Sequence, residues 1–202
     1  ICFDRTGGGD ATVSNSGDIT ITTGMEQEFA FSYGAGITVG TGKYGGNATV
    51  TNSGDITVII TGEGGASGIS ARSTGKYSTG NSIVSNSGDI TVMASYSATG
   101  IGAYSNNEAN IYNSGDISVE TVEARSRGLY AIATASGTGF ISNSGDISVV
   151  GGIGAIGAGA SGAYGATTIN TGDVSVTSTV YQTYYSDYYH EQIYLGGWAY
   201  GV

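Results

Sequence analysis

The sequence predicts an all-β protein, a single-stranded parallel β-solenoid of about six to seven coils with three short strands in each. Three observations carry that expectation. One short phrase recurs six times, apolar and small polar residues alternate within every copy, and the 202 residues include 37 Gly and no Pro.

The phrase VSNSGDITI at residues 13–21 returns as VTNSGDITV, VSNSGDITV, IYNSGDISV, FISNSGDISV and INTGDVSV. Its Gly-Asp pairs begin at Gly17, Gly54, Gly88, Gly115, Gly145 and Gly172, at intervals of 37, 34, 27, 30 and 27 residues. Self-similarity at a period of roughly 20–50 residues marks a solenoid, a propeller or an array. The contents of one repeat decide among these.

Each repeat opens with a strand just before the phrase, as in ATVSN, ATVTN, SIVSN and ANIYN. A second follows the Asp, where Ile-Thr-Ile and its variants alternate at period 2, the pattern of a strand with one buried face. This directs Ile19 and Ile21 inward and Asp18 and Thr20 outward, and places Ile56, Val58, Ile90, Val92, Ile117 and Val119 in the core. A third strand is read at AGITV, SGISA, TGIGA and RGLYA, and Gly- and Ser-rich stretches of variable length explain the uneven intervals. A propeller blade needs tight hairpins, and the Asn-Gly or Asp-Gly signals for them are absent. Stacked coils sharing one core satisfy the pattern instead.

Asn-Ser-Gly is then the corner between two strands. Its Gly is expected at positive φ, a conformation open to Gly and tolerated by Asn. Asn15, Asn52, Asn86, Asn113, Asn143 and Asn170 should stack as a hydrogen-bonded structural ladder. The last copy, TTINTGD, is irregular, with Thr168 where the others have Val or Ile.

Asp18, Asp55, Asp89, Asp116, Asp146 and Asp173 should form a parallel row at a spacing of ~4.8 Å. Adjacent charges at that distance repel by ~0.9 kcal/mol in water, a tolerable cost if each carboxylate bonds turn amides. The other reading is Ca²⁺, which takes carboxylate and carbonyl oxygens and would be the sole cofactor. GGGDATV at residues 7–13 faintly echoes the Ca²⁺-binding solenoid repeat, but no coil reproduces that repeat. Thr20, Thr57, Thr91, Ser118, Ser148 and Ser175 make another outward row; only TIT at 20–22 has the T-x-T of an ice-binding face.

The combined phrase G-I-x-A … V-x-N-S-G-D-I-x-V resembles the repeats of bacterial surface β-helix proteins, above all autotransporter passengers and filamentous adhesins, over roughly residues 10–177. The resemblance implies a right-handed helix that is secreted and used for adhesion or as a stalk. The sequence departs from that family in being short and in holding no membrane-barrel domain.

Composition narrows the partners. Six Lys and Arg against 16 Asp and Glu give a net charge of −10, which disfavours nucleic acid and anionic membrane. No apolar run is long enough for a membrane-spanning helix. A start at Ile1 rather than Met points to a processed product or a piece of a longer one. Cys2, the only cysteine, allows no internal disulfide and leaves open a bridge to a second molecule.

Catalytic machinery is not evident. The acids form a regular row, His190 is the lone His, and Arg125 and Arg127 lie beside Glu120 and Glu123 as in a solvated loop. Asn47-Ala48-Thr49 matches the glycosylation triplet, in a strand position that makes attachment doubtful.

The pattern breaks near residue 179. Residues 1–178 read as the solenoid domain and 179–202 as a Tyr-rich segment holding seven of the 15 Tyr and the only Trp. This segment caps the last coil or contacts another subunit. In the second case Tyr184, Tyr185, Tyr188, Tyr189 and Trp198 are the anchors. Six coils would make a rod of only ~29 Å, short for a stalk unless subunits join head to tail.

The functional expectation is a non-enzymatic extracellular or cell-surface structural protein, a subunit of a self-assembling filament. The alternative is an adhesin module binding a host surface or glycan; a third is a polysaccharide-active β-helix enzyme.

Overall fold

The computed structural model describes residues 2–5, 9–24, 32–135, 137–179, 182–186, 191–195 and 198–202. A short strand, β1 (Cys2–Arg5), precedes the first full turn, β2 (Ala11–Asn15), β3 (Ile19–Thr23) and β4 (Ser32–Thr41). The second turn is β5 (Ala48–Asn52), β6 (Ile56–Ile60) and β7 (Gly64–Ser73); the third is β8 (Ser82–Asn86), β9 (Ile90–Ala94) and β10 (Ser97–Ser105). The fourth is β11 (Glu108–Asn113), β12 (Ile117–Thr121) and β13 (Arg125–Ala133); the fifth is β14 (Thr138–Asn143), β15 (Ile147–Gly151) and β16 (Gly154–Gly162). β17 (Gly165–Asn170) and β18 (Val174–Ser178) begin a further turn. β19 (Gln182–Ser186) and β20 (Glu191–Leu195) pair antiparallel with each other, and β21 (Trp198–Tyr200) follows.

From β1 to β18 every third strand lies in the same sheet. One six-stranded sheet runs β2-β5-β8-β11-β14-β17, a second runs β3-β6-β9-β12-β15-β18, and a seven-stranded sheet runs β1-β4-β7-β10-β13-β16-β21. All their pairings are parallel, so the chain is a parallel β-solenoid of about five three-strand turns. The expected six to seven coils is slightly high. Six Gly-Asp phrases count corners, and six stacked strands make five steps.

Register explains the core. Ile19, Ile56, Ile90, Ile117, Ile147 and Val174 form one column across the second sheet. Ile37, Ile69, Ile101, Leu129 and Ala158 form another in the seven-stranded sheet. Ile56, Val58, Ile90, Val92, Ile117 and Val119 are all buried, as alternation predicts. Each such side chain contributes about 1.5–3 kcal/mol. Ile19 and Ile21, in the first turn, are half-buried because nothing described lies below them. Thr168 keeps the register of Ile141, so the irregular last copy remains in line.

The corner glycines differ from expectation. Among the described residues positive φ occurs only at Gly9 and Gly165. The requirement at the corner is close stacking: a Cβ on Gly54, Gly88, Gly115, Gly145 or Gly172 would sit 2.1–2.3 Å from the carbonyl oxygen of the corner Gly one coil earlier. Gly17 has nothing within 4 Å.

Candidate functional site

The Asn corner forms a continuous chain of side-chain amides. Asn15 Nδ2 donates to Asn52 Oδ1 at 2.7 Å, and the same 2.7 Å bond links Asn52 to Asn86, Asn86 to Asn113, Asn113 to Asn143 and Asn143 to Asn170. Each Nδ2 also donates to the carbonyl of the Gly two residues on, at 2.6 Å for Asn52, Asn86 and Asn113. Both amide hydrogens are thus used, as burial of Asn52, Asn86, Asn113 and Asn143 demands. The ladder has a direction, with every donor aimed at the next coil.

The Asp row runs beside it with the opposite polarity. The backbone N–H of Asp55 donates to Asp18 Oδ1 at 3.0 Å, and Asp89, Asp116, Asp146 and Asp173 each donate to the preceding Asp at 2.8–2.9 Å. The carboxylates serve turn amides, one per coil. Ca²⁺ needs about six to eight converging oxygens. Among the described residues no group of three or more His, Cys, Asp or Glu is placed to hold a metal ion. An open groove of about 440 Å³ follows the row, walled by Asp116, Ser118, Asp146 and Ser148.

Among the described residues both ladders end with bonds unmade: Asn15 Oδ1 and the Asp18 N–H find no partner there at one end, nor do Asp173 Oδ1 and the second Nδ2 hydrogen of Asn170 at the other.

The Tyr-rich segment is placed in part. Tyr184 and Tyr185 lie on β19, whose partners in β20 are Ile193 and Gln192. Trp198 lies on β21, opposite Gly154 of β16, so residues 198–200 rejoin the seven-stranded sheet. Tyr188, Tyr189 and His190 fall outside the described residues. Residues 179–202 break the repeat pattern in the sequence, yet Tyr-Gly-Val at 200–202 copies the Gly-Ile phrase. A carbonyl bond confirms the alignment: Ala158 N–H donates to Gly201 O at 2.9 Å.

Charge is sorted by face. All six Lys and Arg fall on the seven-stranded sheet or the turn that follows it: Arg5, Lys43, Arg72, Lys76, Arg125 and Arg127. The six repeat Asp occupy the corner between the other two sheets. On the cationic face the Arg72 guanidinium lies 4.3 Å from the Tyr104 ring and that of Arg127 lies 4.7 Å from the Tyr130 ring. The two rings meet edge to face at 6.4 Å. Burial pushes the Tyr104 phenol above its ordinary pKa, against an opposing pull from Arg72 and Arg127.

A doubled phrase, Thr-Gly-Lys-Tyr at 41–44 and 74–77, builds the turn after this sheet. Tyr44 and Tyr77 stack at 5.3 Å and 12°, and Lys43 Nζ lies 5.3 Å from both rings. Sequence reading missed this cluster, although the repeated tetrapeptide was its signal. Asn47, of the glycosylation triplet, accepts the Asn81 N–H at 2.8 Å.

No protein-family model matches the chain, nor does any curated protein or solved structure.

Proposed function

We propose that the chain is a non-enzymatic extracellular structural protein, a subunit that stacks head to tail into a filament. The observation that carries this reading is the division of one strand position between β1 and β21. β1 pairs with Thr38–Thr41, the second half of β4, whereas β21 pairs with Gly154–Ile156, the first half of β16. Following the register through the sheet, residues 198–202 take the positions of Tyr33–Ile37, and Cys2 takes the position of Thr38. A second copy stacked on the first would lay its β1 in the same layer as β21, completing one strand from two molecules.

The ladders support the same joint. Asn170 would donate to Asn15 of the next copy, and Asp173 Oδ1 would accept from its Asp18 N–H. Five stacking steps span only about 24 Å, so reach comes from repetition. A head-to-tail contact that does not close into a ring propagates as a fibre.

In this joint Cys2 of one copy faces residue 159 of the other, since Thr38, Ser70, Gly102, Tyr130 and Gly159 share a column. Directly paired strands bring such residues within disulfide range. A Cβ at Gly159 meets nothing closer than 3.4 Å. Oxidised Gly159→Cys protein should therefore run as a ladder of multimers on a non-reducing gel, with filaments in electron micrographs. Monomers alone, at high protein concentration, would refute head-to-tail stacking.

A further inference from the structure

We infer that the turn after the seven-stranded sheet is a binding site for an acidic polysaccharide. A groove of about 500 Å³ opens there, lined by Lys76, Tyr77, Ser78, Thr79, Asn106 and Asn107 among others. Its size is that of a small-molecule site. The stacked Tyr44 and Tyr77 are 60% and 53% exposed, so two apolar ring surfaces stand in solvent beside hydroxyl and amide groups. Sugars present the matching combination, C–H faces for rings and hydroxyls for polar neighbours. Asn106 and Ser78 are held in place by bonds to Gly75 O and Gly45 O, both at 2.8 Å, so this wall is fixed before a ligand arrives.

Charge specifies an acidic sugar. The chain carries −10, yet Lys43, Lys76 and Arg72 lie together within this turn and the strand leading to it. Among the described residues none of the three makes an ion pair. Lys43 and Lys76 rest on the tyrosine rings, and Arg72 Nε donates to Ser70 Oγ at 3.3 Å. The nearby acids are already engaged: Asp10 accepts the Asn47 N–H at 2.8 Å, and Glu108 accepts from Asn81 Nδ2 at 3.2 Å. Cations left without an ion pair among the described residues, beside acids that already accept other bonds, fit carboxylated or sulfated glycan. Nucleic acid would stack on the same rings, but a long polyphosphate would extend from three cations onto an acidic molecule.

The test is titration of the full chain with polygalacturonate, heparin, neutral dextran and poly(U) at low salt. At least one acidic polysaccharide should bind, weakening as salt is raised. Its Kd should rise at least tenfold in Tyr77→Ala and in Lys43→Gln/Lys76→Gln; a preference between the two polyanions tells carboxylate from sulfate. The lysine variant alters only exposed side chains, so it carries the test if Tyr77→Ala melts early. Absence of polyanion binding, equal binding of dextran, wild-type affinity in the lysine variant, or tighter binding of poly(U) would each overturn the assignment. None of these outcomes depends on filament formation.

Discussion

Asn113 Nδ2 donates to Asn143 Oδ1 at 2.7 Å while both residues are buried, 5% and 2% exposed. The same nitrogen closes its own corner on Gly115 O at 2.6 Å. Removing the amide strands Asn86 Nδ2 without its acceptor and Asn143 Oδ1 without its donor. Asn113→Ala should therefore destabilise by about 2–4 kcal/mol. Asn15→Ala, at the end of the ladder, should cost about 1 kcal/mol or less. Chemical denaturation of the two variants compares them directly; equal losses would mean that the ladder adds nothing beyond a local turn bond.

Gly115 and Gly17 hold the same place in the repeat but meet different surroundings. A Cβ on Gly115 would lie 2.1 Å from Gly88 O, a backbone atom that cannot step aside. Gly115→Ala should cost about 3 kcal/mol, whereas Gly17→Ala should stay within about 0.5 kcal/mol in the monomer. Under the stacking proposal, Gly17→Val should still fold yet fail to form filaments. Thermal melting and light scattering read the two effects separately.

Ile90 is 1% exposed in the middle of a six-residue core column. A carboxylate placed there has no partner, and burial of an unpaired charge costs several kcal/mol. Ile90→Asp should lose more than about 4 kcal/mol and unfold the central turns. A melting curve like that of the wild type would contradict the inward placement.

Tyr104 connects pH to stability. Its phenol is raised above the usual value of about 10, chiefly by burial. The folded chain then holds this proton more tightly than the unfolded chain. The contribution is complete below about pH 10 and declines as pH climbs through the folded value. Tyr104→Phe keeps the ring beside Arg72 and removes the titration. Between about pH 9.5 and 11, wild-type Tm should fall more steeply than that of the variant; parallel profiles would assign the loss elsewhere.

The columns were legible in the sequence because a parallel stack repeats its chemistry at each level. Period-2 alternation named Ile56, Ile90 and Ile117 as inward, and recurrence of Asn named the ladder. What stayed hidden depends on distance between coils rather than on order along the chain. The corner Gly reads like a turn residue, yet only the 2.1–2.3 Å approach of the previous carbonyl reveals why no other residue fits. Tyr44 and Tyr77 are 33 positions apart, and their ring stack follows only once the two turns are superposed. The return of residues 198–200 to the sheet was obscured by the aromatic stretch before it.

The unequal spacing of the repeat has a mechanical consequence. Hydrogen bonds between coils point along the rod, so axial tension loads one inter-coil seam at a time and should peel turns off from an end. Corner-to-corner intervals fall from 37 and 34 residues to 27, 30 and 27. Each detached turn would release roughly 90–130 Å of slack, with the longest releases at the N-terminal end. Force–extension traces would then carry a length signature that tells which end yields first.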